Sequence, residues 1–372
     1  MSELESKIIS FLRFPMSVLV IFVHSMNTEF SEFSIHTIYK MGQIEICIFD
    51  TVKVSISRII GHIAVPMFLL ISGCLFFKKL ETWNKVIWIE KLKKRVNSLA
   101  IPYIIWNIMP IIVMIGLILP KQNCNILMME YITSIWDRGV LSTFWNARGG
   151  EQNTYLGFKL FVSTPENTPL WFMRDLMVLL IFSPLIHWFL KKMKYVYIVL
   201  CFLLFLLIGT PSTGVLLFFS VGAYISIFHL NFITICKKNK RWIIPLFFGA
   251  SIFKIYFYGS YTTSVFVSLV NSLSIISGIV CVFLLTAFLV EKKNWEMSSL
   301  LTSSSFYVFA MHMHFLVWSR MIYFSILPDK SEVNVFIAYL FAPISATIAL
   351  TMTYYLLQRF FPKLTVFICG NR

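Results

Sequence analysis

Windows of roughly 20 apolar residues recur along the chain, at 8–26, 57–77, 98–119, 170–190, 195–210, 213–230, 242–258, 267–290, 303–325 and 334–358. That is the length an α-helix needs to cross a hydrocarbon core about 30 Å thick. Seven of the windows are clear. The first is weakened by Arg13, the fifth and sixth share one apolar block split at Gly209–Pro211, and the seventh contains Lys254. The pattern predicts an all-α membrane protein, a polytopic bundle of about ten transmembrane helices forming one integral-membrane domain over residues 1–372.

The polar connections fix an orientation. With the N-terminus inside, twenty of the 32 Lys and Arg residues fall in cytoplasmic segments and seven in outer segments, although the outer ones are longer in total. Five more lie within or at the edge of spans: Arg13, Arg58, Arg174, Lys254 and Arg320. The bias holds at every even-numbered loop, so both termini are expected in the cytoplasm. No small-x-small cleavage site follows the first apolar run, which is expected to remain as a span. The longest outer segment, about 120–169, contains the polar stretches NARGGEQNTYLGFK and STPENTP. Loops of that length commonly carry function, and this one is a natural place to meet an extracytoplasmic molecule.

Composition agrees with the pattern. The chain is 58% hydrophobic and 13% charged, where a soluble domain is about 25% charged. The net charge of +15 would suggest nucleic acid in a soluble protein. Here the distribution of Lys and Arg explains it as topology; membrane lipids are expected partners and nucleic acid is not. The seven cysteines are scattered without metal-ligand or CxxC spacing, so no metal site is predicted.

Ionisable residues inside spans are costly and mark functional sites. Arg13 and His24 are eleven residues apart in the first span. A helix brings that pair within about 20° of one face and about 16 Å apart along the axis. A cation and an imidazole at two depths of one face point to a polar cavity that the helix lines. Sorting the other polar residues by depth gives two layers. An outer layer holds His24, Arg58, His62, Trp171, Arg174 and Arg320, with His312 near mid-membrane; an inner layer holds Arg13 and Ser72, above the basic KLKKR segment that ends in Arg95. Simpler roles compete: Arg13 could snorkel to headgroups, Ser72–Gly73 could be small-residue helix packing, and Trp171 could be a membrane-interface aromatic. His312 and His314 lie about 200° apart on a helix and cannot face the same way.

The segments LRFPMSVLVIFVHS, VPMFLLISGCLFF, KRVNSLAIPYIIWN, PLWFMRDLMVLLIFSPLI and SSFYVFAMHMHF occur in that order. Together they resemble the membrane-bound acyltransferase 3 family of bacterial O-acyltransferases, from about residue 8 to 325. The family's Arg-x10-His element is matched by Arg13 and His24. Its Phe-x3-Ser-Gly element is matched by Phe68, Ser72 and Gly73, and its basic element before Ile-Pro-Tyr by Arg95, Pro102 and Tyr103. Leu-Trp-Phe is matched by Leu170, Trp171 and Phe172. A Tyr-x-x-His element is matched at His312, with Phe309 where Tyr is more usual. The resemblance implies about ten spans in a bacterial cytoplasmic membrane. Many relatives also carry an extracytoplasmic hydrolase-like domain; this chain is expected to be a stand-alone member.

The resemblance implies acyl transfer, most simply acetyl transfer, from acyl-coenzyme A to a hydroxyl of a lipid-linked or surface glycan. Acyl-coenzyme A is then a co-substrate, and no permanently bound cofactor is expected. His24 is the candidate base, because a sugar hydroxyl is a poor nucleophile until its proton has an acceptor. Arg13 and His312 complete the expected catalytic set, and Arg13, Ser72 and Arg95 are placed to meet the donor's phosphates and pantetheine arm. Arg58, Trp171, Arg174 and Arg320 are expected on the acceptor side. A transporter or flippase for lipid-linked oligosaccharides is the rival reading. It would be expected to show repeat symmetry or paired broken helices, and the sequence shows neither.

Overall fold

The computed structural model describes residues 3–26, 48–78, 83–147, 151–155, 158–256 and 265–370. Six helices are long and apolar enough to cross a membrane: α1 (Glu3–Ser25), α2 (Ile48–Phe77), α3 (Lys85–Ile118), α11 (Val265–Lys293), α12 (Ser299–Ile326) and α13 (Glu332–Phe360). Between α3 and α11 lie α4 (Cys124–Asp137), α5 (Ser142–Trp145), α6 (Trp171–Ile181), α7 (Ser183–Met193), α8 (Tyr195–Ile208), α9 (Pro211–Ile227) and α10 (Phe232–Tyr256). A short α14 (Pro362–Ile368) follows α13. The chain is a multi-pass helical membrane protein.

Among the described residues, length and composition support six crossings, or eight if each of two bent pairs is one span. The first bent pair is α6–α7, broken by 67°. Pro184 sits in the first turn of α7, where it cannot donate to the turn before it. The freed Leu180 carbonyl accepts from Trp88 Nε1 and Ser183 Oγ, so the break is buried and satisfied. The second is α9–α10, which turns by 120°. There Leu230 N–H donates back to the Ile225 carbonyl, and Asn231 Oδ1 accepts from Thr234 N–H to start α10. Between the pairs, α8 ends at Gly209, whose φ of +66° is the left-handed closure glycine makes cheaply. Thr210 then caps α9.

A second departure lies in the long segment after α3. Strands β1 (Glu151–Tyr155) and β2 (Phe158–Val162) pair antiparallel, so the chain is not purely helical. Residues 148–150 and 156–157 of that segment lie outside the described residues.

Helix α1 sits in the centre and packs against α2, α11, α12 and α13. Its buried stripe, including Ile8, Leu12, Met16, Val20 and Ile21, has the i, i+4 spacing of a helix face turned to neighbours. Arg13 and His24 therefore lie on a helix packed against four others. Helix α2 is irregular beside it: Ser55–Ile60 is a π-helical segment followed by a 3-10 turn at Gly61–Ile63. Such segments re-aim side chains and leave main-chain groups free for other donors.

Candidate functional site

Two chambers open along α1. The inner one, about 620 Å³, is lined by Arg13 and Ser17 from α1, Ser72 from α2, Arg95 and Ser98 from α3, and Thr302 from α12. The outer one, about 590 Å³, is lined by His24 from α1, His62 from α2, Trp171 from α6, Thr210, Lys254 from α10 and Asn271 from α11. Each is large enough for part of an extended ligand. The two depths read from the Arg13–His24 spacing thus correspond to two separate cavities on one helix.

Arg95 reaches the inner chamber because α3 starts early. The basic segment is the first turns of the same long helix, joined to the apolar part by a second π-helical segment at Val96–Ala100. The main chain of α1 loosens nearby. Pro15 cannot donate to the Phe11 carbonyl, and Ser17 Oγ donates to the Arg13 carbonyl.

The wall between the chambers is aromatic. Trp171 faces the outer chamber and Phe172, the next residue, the inner one. Phe172 packs edge-on against Phe309, ring centroids 5.2 Å apart, and stacks on Phe68 at 6.3 Å. Phe309, the residue in the place of the more usual Tyr, is thus a wall residue. Its carbonyl lies 2.5 Å from His312 Nδ1. A carbonyl only accepts, so Nδ1 carries the proton. The neutral ring then presents Nε2 as an acceptor, and that atom is buried with no partner among the described residues. The His24 and His312 rings are 5.1 Å apart. Two imidazoles from α1 and α12 therefore pack together; His24 lines the outer chamber, and the fully buried His312 lies behind it, lining neither chamber.

The remaining predicted residues are placed differently. Arg174 is buried and lines neither chamber. It pairs with Asp175 at 2.8 Å, donates to the Trp145 and Ser163 carbonyls, and lies over the Trp145 ring. It fastens the two ends of the hairpin segment to α6. Arg58 donates to the Met26 carbonyl at 3.2 Å, holding the end of α1; its Nε is buried without a partner among the described residues. Arg320 lies about two turns beyond His312 on α12 and is half-buried, outside both chambers.

Two chamber residues had no role assigned from sequence. His62 follows Arg58 by four positions, and the π-helical segment turns it into the outer chamber. Lys254 stands in the apolar run GASIFKIYF, and its ammonium donates to the Arg58 carbonyl at 3.0 Å and Asn271 Oδ1 at 2.8 Å. The lone cation in that run was the available signal. Its partners are nearly 200 residues away and on a neighbouring helix, out of reach of pattern reading.

The bundle thus holds two cavities along α1, one carrying Arg13, Ser72 and Arg95 and the other His24, with the buried His312 packed against His24. The chain belongs to the acyltransferase 3 family, whose profile, described as an acyltransferase domain, matches residues 7–356. It is also similar to the succinoglycan biosynthesis protein ExoH of Rhizobium meliloti (strain 1021), 24% identical over 339 residues, covering 87% of this chain and 83% of the relative. No solved structure matches the chain.

Proposed function

We propose that this acyltransferase moves an acyl group, most simply acetyl, from cytoplasmic acyl-coenzyme A to a hydroxyl of an outward-facing lipid-linked or surface glycan. The observation that carries the reading is the pair of chambers on α1, one with Arg13, Ser72 and Arg95, the other with His24, whose ring packs against His312. The name of the relative, a succinoglycan biosynthesis protein, supports a glycan acceptor.

The donor enters the inner chamber. Arg13 and Arg95 meet its phosphates, since guanidinium forks match phosphate oxygens, and Ser72 meets the pantetheine arm. The thioester reaches the histidine pair past the Phe68–Phe172–Phe309 wall. His24 takes the proton of the sugar hydroxyl as its oxygen attacks the thioester carbon. Positive groups nearby stabilise the oxyanion, and the C–S bond breaks as the carbonyl reforms. The proton leaves with the coenzyme A thiolate, so charge and atoms balance. His312, fixed by the Phe309 carbonyl, keeps an acceptor beside His24.

The deciding experiment supplies labelled acetyl-coenzyme A to membranes containing the protein and looks for new esters on the glycan. Label confined to free acetate would exclude transfer to a sugar. Arg13→Lys keeps the charge and loses the fork. It is expected to raise the Kd for acyl-coenzyme A about tenfold or more, where a residue that only snorkels would leave it unchanged.

The bilayer arrangement follows the charge bias. The N- and C-termini are cytoplasmic, in a bacterial cytoplasmic membrane. Ten crossings result when α6–α7 counts as one, α8 as one, and α9 and α10 as two arms of a helical hairpin. In a background with the native cysteines replaced, a cysteine at Lys238 is expected to be shielded from a membrane-impermeant thiol reagent in intact cells. A cysteine at Asp329 is expected to be labelled. Labelling at 238 with protection at 329 would invert the arrangement and put the donor chamber on the wrong side.

A further inference from the structure

Lys254 is a buried cation without a counter-ion among the described residues. Its ammonium has three N–H donors, and its two bonded partners, the Arg58 carbonyl and Asn271 Oδ1, are both neutral. No Asp or Glu lines the outer chamber among the described residues. Asp175, on the helix that carries the chamber residue Trp171, is already held by Arg174 and by Ser212 Oγ. Among the described residues the other charged or titratable groups around the lysine are Arg58, His62 and His24, and none of them offsets the positive charge. A charge carried into an apolar bundle is expensive unless something pairs with it.

The geometry leaves a receptor. With Asn271 Oδ1 accepting from Lys254, the Asn271 amide presents its N–H groups beside the third ammonium N–H. Two donors, one charged, lie side by side in the wall of a cavity that also holds His24. That set suits a monovalent, planar oxyanion. A dianionic phosphate would be matched better by further cationic donors, and Arg58, the guanidinium close by among the described residues, points instead at the Met26 carbonyl.

We propose that Lys254 and Asn271 receive a carboxylate in the outer chamber, carried either by an acidic acceptor sugar or by the far end of a dicarboxylic acyl group. The proposal rests on the reading of this chamber as the place where acceptor and acyl group meet. Lys254 is a specificity residue in this account: it selects what sits beside His24 and takes no proton itself.

The test uses the full chain in lipid nanodiscs. Binding of octyl glucuronide is compared with octyl glucoside, and binding of succinyl-coenzyme A with acetyl-coenzyme A. The expected result is a preference of about tenfold for the carboxylate member of one pair. Lys254→Gln should abolish that preference, and Lys254→Arg should retain part of it. Asn271→Asp supplies an internal carboxylate to the lysine. It should also abolish the preference while leaving the thermal midpoint of the unliganded protein at or above the starting value, which separates lost recognition from lost folding. Preference in the glycoside pair places the carboxylate on the sugar; preference in the thioester pair places it on the acyl group. No preference in the unaltered protein, or a preference that survives both Lys254→Gln and Asn271→Asp, would overturn the proposal. Because these readouts need no turnover, a persistent carboxylate preference in a protein that forms no ester would refute the transferase reading alone.

Discussion

Replacing His24 by Ala is expected to lower ester transfer by about 10²–10⁴-fold, the range a positioned proton acceptor contributes. The protein should still insert and fold. His24 occupies a cavity wall rather than the packed core, and the buried stripe of α1 that holds the bundle, including Leu12, Val20 and Ile21, is untouched. Binding of acyl-coenzyme A should change little, because Arg13, Ser72 and Arg95 line the other chamber. The discriminating measurement is therefore a pair: near-normal donor affinity with transfer at background. Near-normal esterification by His24→Ala would remove this residue from the chemistry and leave His312, with its unpartnered Nε2, as the base to test next.

The placement of His24 and Arg13 was legible in the sequence for a simple reason. Both lie on one regular helix, and the 3.6-residue period is enough to put them on one face. Arg95 and Ser72 were legible through short ordered motifs, and Trp171 through its position at the start of a span. Arg174 shows where that style of reading stops. A cation at a span edge looks the same in sequence whether it meets a ligand or ties down a loop. Only the Trp145 and Ser163 carbonyls and Asp175 around it decide for the loop. His62 and Lys254 fall on the other side of the same limit. Periodicity assumes a regular helix, and His62 follows a π-helical segment that rotates what comes after it. The shape of the spans was hidden for a related reason. Hydropathy registers apolar length, and it is blind to the 67° break at Pro184 and to the 120° turn between α9 and α10. The β1–β2 hairpin lies in a polar stretch where apolar windows give no signal.

Gly73 separates two meanings of one motif. Ser72 faces the inner chamber, whereas Gly73 faces α9. A Cβ built on Gly73 would lie 2.1 Å from the Phe219 carbonyl oxygen, and one on Gly222 would lie 2.0 Å from the Leu70 carbonyl oxygen. The obstruction in both cases is backbone, which cannot rotate away, so α2 and α9 touch main chain to main chain in the manner of small-residue contacts between membrane helices. Gly73→Ala should force the helices apart and cost about 1–3 kcal/mol or more, the range for overpacking a close contact. Gly116 and Gly249 supply the control: both lie inside helices, and a Cβ at either meets nothing within 4 Å. Ala there should be neutral or stabilising by up to about 1 kcal/mol, from helix propensity. The same substitution is thus expected to act with opposite sign at two kinds of site, read as the thermal midpoint of the purified protein in one detergent. Because Ser72 is carried on the displaced turn, Gly73→Ala should also weaken acyl-coenzyme A binding. Gly222→Ala, which opens the same contact from α9, should reproduce the loss of stability. A Gly73→Ala protein as stable as Gly116→Ala would mean that α2 and α9 do not meet at this point.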